Sequence, residues 1–284
     1  MRRQSLIVLM LLLMLAALLS SAPRVFAQID PWEFEVYPYA TEGPGILEME
    51  TDNAVVANGH DRAGTGTSAG QFRSHGIWYN QYELTYGLTD RVEAAAYLNL
   101  ALVPGHGYQY AGSKYRLRGH LFDEDVLPVN LGWYLELEWH RTPQFDENQL
   151  ELEMRPIIAK DIRRFSIVIN PKFEKSIFVG PNKNKGFEFG YANGIYYRWR
   201  RYLSPGLEFY GALGLIDDND PIRAQQHYIF PVMWGSFRNG IGYSVGPGIG
   251  LTRGSDRVIV KFNLELEKYV GAIIKSVSDE SWFY

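Results

Sequence analysis

The run Val129-Asn130-Leu131-Gly132-Trp133-Tyr134-Leu135-Glu136-Leu137-Glu138-Trp139-His140 decides the fold. Its odd positions hold Val, Leu, Trp, Leu, Leu and Trp, and its even positions hold Asn, Gly, Tyr, Glu, Glu and His. Successive side chains leave an extended strand on opposite sides, so a strict period of two means a strand with one apolar and one polar face. The alternation returns in 149–155, where Leu150, Leu152 and Met154 oppose Glu151, Glu153 and Arg155. It returns again in 258–267, where Val258, Val260, Phe262, Leu264 and Leu266 oppose Lys261, Asn263, Glu265 and Glu267. Strands of soluble sandwiches run to about five or six residues, whereas these reach roughly ten to thirteen, the length a tilted strand needs to cross a bilayer.

Extending the reading outward gives about twelve strands, near 46–57, 77–86, 92–102, 108–121, 129–140, 149–160, 165–178, 187–200, 207–216, 227–237, 241–251 and 258–269. An even number of long alternating strands predicts an all-β chain folded as a single antiparallel transmembrane β-barrel. The links fall into two sets when the strands are laid up and down. One set (87–91, 122–128, 161–164, 201–206, 238–240) is mostly short. The other (58–76, 103–107, 141–148, 179–186, 217–226, 252–257) is on average longer and rich in Gly, Asn and Asp. Short periplasmic turns and longer outer loops are what an outer-membrane barrel requires. A soluble periplasmic β-protein is the competing reading, and it would extract without detergent.

Composition agrees with strands and opposes helices. The chain has 284 residues, a 46% apolar and 21% charged fraction, and a formal charge of −4. With a mean hydropathy of −0.20, these figures argue against a bundle of membrane helices and against a basic nucleic-acid binder. Cysteine is absent, which excludes disulfides, thiolate metal sites and cysteine nucleophiles. The surplus of 19 Tyr, 7 Trp and 28 Gly suits strands, membrane interfaces and turns. At the start, Arg2 and Arg3 precede the apolar run Leu6 to Leu19, and Val25-Phe26-Ala27 offers small-residue cleavage before Gln28. Residues 1–27 therefore read as a cleaved signal peptide, with the cut between Ala27 and Gln28. Residues 28–45 read as a periplasmic lead-in or a short plug, 46–270 as the barrel, and 271–284, ending Trp282-Phe283-Tyr284, as a C-terminal tail.

One stretch carries a family likeness: Tyr82-Glu83-Leu84-Thr85-Tyr86-Gly87-Leu88-Thr89-Asp90-Arg91-Val92-Glu93, a strand, a tight turn and an acidic return strand. Here Gly87 is expected to take a positive φ and Asp90 to bond its own backbone. A similar cadence surrounds Tyr202-Leu203-Ser204-Pro205-Gly206. The sequence resembles a group of bacterial outer-membrane barrels that includes transporters associated with the phenol meta-pathway. That resemblance implies a channel for small solutes, including hydrophobic or aromatic ones, and transfers no catalytic residues.

The alternation sends a charged row into the lumen. Arg116, Arg118, Glu136, Glu138, Glu151, Glu153 and Arg155 come from three successive strands and form the expected electrostatic belt, flanked by Glu83, Glu93, Lys114, Glu188, Arg198, Arg200, Glu208 and Lys261. Such a belt would set conductance or ion preference in a passive channel, or seal a structural barrel by mutual salt bridging. Lipid hydrolysis is the third reading, and the sequence opposes it. Ser113 and His120 are seven residues apart on one predicted strand, over roughly 20 Å, and cannot form a nucleophile–base pair. No enzyme and no cofactor are expected. The expected surroundings are outer-membrane lipid and lipopolysaccharide, with a small solute and without nucleic acid. Asp217-Asp218-Asn219-Asp220 is read as a solvated loop in preference to a cation site, and 64–70 as a surface loop.

Overall fold

The structure is a computed structural model and describes residues 28–60, 71–237 and 241–269. The expected signal peptide with Ala27, the 64–70 loop, the side chain of Glu267 and the C-terminal tail lie outside the described residues.

Twelve antiparallel strands form one closed barrel. They are β1 (Ile46–Asn58), β2 (Trp78–Thr89), β3 (Val92–Val103), β4 (Gly107–His120), β5 (Asn130–His140), β6 (Leu150–Ile162), β7 (Phe165–Phe178), β8 (Glu188–Tyr197), β9 (Ser204–Leu215), β10 (Gln226–Ser236), β11 (Ile241–Gly250) and β12 (Val258–Tyr269). Each strand pairs with its neighbours in sequence, and β1 pairs with β12 from Ile46↔Tyr269 to Asn58↔Val258, which closes the ring. Closure leaves no unpaired edge, the condition for strands to sit in lipid.

The alternation maps onto inside and outside as the sequence requires. Along β5, Tyr134, Glu136 and Glu138 are buried, while Leu135, Leu137 and Trp139 are exposed on the outer face. Met49, Tyr82, Leu84, Leu98, Tyr115, Leu117, Ile169, Ile195, Leu207, Val245 and Leu264 continue that apolar surface around the ring. The buried polar set is unusually rich for a protein interior, because the lumen of a barrel takes the polar half of every strand.

Several boundaries move. Strand β2 continues to Thr89, so the β2–β3 link contracts to residues 90–91 and Gly87 becomes part of the ladder, paired with Glu93. Gly87 is not among the residues with positive φ. Glycine is needed there for another reason: a Cβ would strike the carbonyl oxygen of Gly43, whose neighbour Gly45 donates its N–H to the Gly87 carbonyl at 3.0 Å. Asp90 gives way to Thr89, whose hydroxyl accepts the Arg91 N–H at 3.2 Å. Strand β8 stops at Tyr197 rather than 200, which moves Arg198 and Arg200 out of the lumen to exposed positions. Arg198 instead pairs with Asp161 at 2.6 Å across the short-turn end.

Candidate functional site

The lumen is occupied by the chain's own residues 28–45. At the long-loop end, the Ile29 N–H donates to Gln226 Oε1 at 2.9 Å, beside the start of β10. At the short-turn end, the Glu42 N–H donates to Glu93 Oε2 at 2.7 Å, just before the chain turns into β1. The segment thus runs the length of the barrel. Its centre, Trp32-Glu33-Phe34-Glu35-Val36-Tyr37, itself alternates, and its two faces meet two unlike walls.

The apolar face packs against aromatic side chains. Trp32 meets Tyr79 and Phe145 edge-on, with centroids 4.8 and 5.1 Å apart. Phe34 lies against Tyr210, Tyr228 and Phe230 at 4.9 to 5.5 Å. Trp32 Nε1 also donates to the Leu100 carbonyl at 2.6 Å. That contact falls where the β3–β4 register jumps from Asn99↔Gly112 to Leu100↔Tyr110, leaving Ala111 unmatched. A bulge disrupts the ladder locally, and here the segment bonds the strand at that break.

The polar face meets the charged belt. Glu33 is buried and accepts from Lys114 Nζ at 2.7 Å and Arg155 Nη2 at 2.6 Å. Lys114 also bonds Asp30, Glu136 (3.1 Å) and Glu138 (3.4 Å). Arg155 bonds Glu153, which also takes Lys172 at 2.9 Å. Arg116 reaches Glu83 and Glu93, both at 2.7 Å, and Arg118 shares Glu93 at 2.7 Å. The Tyr37 ring lies amid these cations, with the guanidinium carbons of Arg116, Arg155 and Arg118 at 5.0, 5.1 and 5.2 Å from its centroid. Its backbone is clasped by Asn170, which accepts from the Tyr37 N–H at 2.8 Å and donates to the Tyr37 carbonyl at 3.2 Å.

Of the seven belt residues read from sequence, the structure gathers Arg116, Arg118, Glu136, Glu138, Glu153 and Arg155 in the buried lumen and sets Glu151 apart. Glu151 sits toward the long-loop end, 3.2 Å from His140 Nε2. Sequence reasoning missed Asp30, Glu33, Glu35 and Lys172, although the alternation in 32–37 was a usable signal for the acids of that segment.

At the long-loop end two clefts open to solvent, one beside Phe34, Tyr228 and Asp256 and one beside Trp32, Glu138 and Asp146. The second is acidic, with Glu138, Asp146, Glu151, Glu174 and Glu188 in its wall. Burial is the largest influence on the Asp146 carboxyl and holds its pKa above the ordinary carboxylate value despite the nearby His140. Asp256, near the first cleft, is likewise raised by burial even though it accepts from Ser74 Oγ and the His60 N–H. Among the described residues three groups could hold a cation: His140 with Asp146 and Glu151; Glu136 with Glu138 and Glu153; and Glu35 with Glu50, Asp52 and Glu83. Asp217–Asp220 is not among them, and Asp217 and Asp218 are exposed.

No protein-family model matches the chain, and no curated protein matches it. Solved structures do. The COG4313 outer membrane channel from Pseudomonas putida F1 aligns with a TM-score of 0.55 at 11% identity, over 85% of this chain and 100% of that one. The translocator domain of the autotransporter NalP from Neisseria meningitidis aligns over 81% of this chain and 90% of that one, with a TM-score of 0.44 and 8% identity. At these identities the likeness speaks of fold. The closed antiparallel ring and its apolar outer face, together with the first likeness, identify this chain as an outer-membrane β-barrel, built for the cell outer membrane.

Proposed function

We propose that the protein is a passive channel or facilitator for small solutes, and that residues 28–45 hold the lumen closed in this conformation. The observation that carries the reading is the chemistry of the occupied lumen. Residues 28–45 are held inside the ring by hydrogen bonds and ion pairs that water can replace, and the chain has no cysteine to tie them by a disulfide. The clefts at the long-loop end supply an entrance, and the acidic wall of one favours cationic or neutral polar solutes over anions. The Pseudomonas putida structure of similar fold is described as an outer membrane channel, which supports the reading by analogy only.

A sealed structural barrel is the second reading. What favours it is the dense mutual pairing of Lys114, Arg116, Arg118, Arg155 and Lys172 with lumen acids. Planar-bilayer recording separates the two. A variant lacking residues 28–41 should conduct steadily and well above the intact chain, and Glu136→Gln with Glu153→Gln should change its ion preference. A shortened variant that still forms a heat-modifiable barrel but passes no current would defeat the channel reading.

A further inference from the structure

Beside the belt lies a second acidic cluster in which an arginine answers Glu83, while the ion pairs among the described residues do not reach Glu35, Glu50 or Asp52. Glu50 and Asp52 project inward from β1, Glu83 from β2, and Glu35 approaches from the lumen segment; one oxygen of each lies within 4.8 Å of the others. Asp52 is 1% exposed, yet neither of its carboxylate oxygens has a hydrogen-bond donor. Its polar neighbour is the Glu50 carboxyl, which is itself an acceptor unless it keeps a proton. Glu35 Oε2 and Glu83 Oε2 are also buried without a partner. Gln81 is the register partner of Asp52 on the same inward face. It is fully buried, and its amide oxygen is unpartnered while its nitrogen donates to Asn99.

The contrast with the Glu136, Glu138 and Glu153 group is informative. There Lys114, Arg155 and Lys172 answer the carboxylates. Here Arg116 answers Glu83 at 2.7 Å, and the bonds of Lys261 go instead to Glu208, the Phe34 carbonyl and the Tyr210 hydroxyl. Buried charge needs a counter-charge or a ligand, because desolvated like charges repel strongly.

We propose that Glu35, Glu50, Asp52 and Glu83 form a calcium site, with the Gln81 amide oxygen as a neutral supplement. The donor set is all oxygen, with no imidazole or thiolate, which selects a hard cation. Four carboxylates and an amide can supply the roughly six to eight oxygens that Ca²⁺ takes, whereas Mg²⁺ sheds its waters reluctantly and prefers a smaller octahedral shell. Because Glu35 belongs to the lumen segment and the other three acids to the wall, the ion would staple segment 28–45 to β1 and β2. The site stands whether or not the lumen conducts.

The test is calorimetric titration of CaCl₂ into the full chain refolded in detergent and stripped with EDTA, with thermal unfolding alongside. Wild type should bind one Ca²⁺ saturably, gain unfolding temperature as calcium rises, and respond less to Mg²⁺. Asp52→Asn should weaken calcium binding by about tenfold to a hundredfold or more, the scale of loss seen for supporting groups around bound metals. In EDTA the same variant should unfold at a higher temperature than wild type, since one repelling charge is gone. Should Asp52→Asn fail to refold, Glu35→Gln, which leaves every strand untouched, must show the same loss of calcium affinity. Absence of saturable calcium binding in wild type overturns the proposal and leaves a shared proton between Glu50 and Asp52 as the occupant. Undiminished binding in Asp52→Asn or Glu35→Gln overturns it too. No conductance enters this test, so its failure leaves the channel reading intact.

Discussion

Arg155 Nη2 donates to Glu33 Oε1 at 2.6 Å, joining residues 122 positions apart, both fully withdrawn from solvent. Removing one member of a buried pair is destabilising by about 3–5 kcal/mol, because the survivor is left without its counter-charge. Arg155 keeps Glu153, and Lys114 keeps Asp30 and Glu136, so Glu33→Gln should cost about 3 kcal/mol, the lower end of that range. The checks are the thermal midpoint in detergent and the rate of protease cutting within 28–45. An unchanged midpoint with unchanged cutting would mean that Glu33 does not hold the segment.

Trp32 should be the strongest apolar anchor of the lumen segment. Trp32→Ala removes the contacts to Tyr79 and Phe145 and the bond to the Leu100 carbonyl. Large aromatic truncations in cores cost about 3–5 kcal/mol. Trp32→Phe should recover part of that loss by restoring a ring without the Nε1 donor. Denaturant unfolding monitored by circular dichroism should rank the three proteins wild type, Phe, Ala; equal midpoints for the Phe and Ala variants would show that the ring contributes nothing.

A methyl group at Gly87 has no room, since the backbone of Gly43 occupies its place. Gly87→Ala should push the 43–45 turn off β2, break the 3.0 Å bond from the Gly45 N–H, and cost about 1–3 kcal/mol as an overpacking change. The same change at Gly105, where no atom lies within 4 Å of a Cβ but φ is +78°, tests backbone strain alone. If both substitutions shift the midpoint equally, steric contact with Gly43 is not the cause at Gly87.

Asp256 gives the long-loop end a pH dependence. Burial raises its folded pKa above the ordinary 3.8, so the folded state holds the proton more tightly than the unfolded state. Its contribution is therefore fully present below 3.8 and is lost as pH rises through the raised value. Between about pH 4 and neutrality the wild-type midpoint should fall more than that of Asp256→Asn. A wild-type profile parallel to that of the variant would remove Asp256 as the source, and a titration of its carboxyl by NMR would give the raised pKa directly.

The wall of this protein could be read from its sequence because lipid favours apolar side chains on the outward face of a strand, and the alternation in Leu135, Glu136, Leu137 and Glu138 reports which side is which. The filling could not be read in the same way. Six alternating residues at 32–37 look like a short strand, and nothing local says that they will lie inside a ring whose lining residue Lys261 stands 227 positions after Phe34. Pairing inside the lumen was hidden for a related reason. Arg116 is the register partner of Glu136, yet its side chain bonds Glu93 and Glu83, because long side chains reach diagonally past their cross-strand neighbours. Register fixes where a charge starts, and the tilt and packing of the lumen decide where it ends. Glu151 shows the converse: it follows the alternation faithfully, but its height on the strand gives it to His140 instead of the arginines.

The bond from Lys261 Nζ to the Phe34 carbonyl, 2.8 Å long, ties the lumen segment to the strand that completes the ring. That lysine reaches its place only once β12 has met β1, where Lys261 stands opposite Ala54. Seating the segment and closing the seam are therefore linked equilibria, and a coupling between two equilibria acts equally in both directions. Whatever loosens residues 28–45 must weaken the β1–β12 seam, and whatever strains the seam must favour release of the segment, so through this one lysine the wall and its filling stabilise each other.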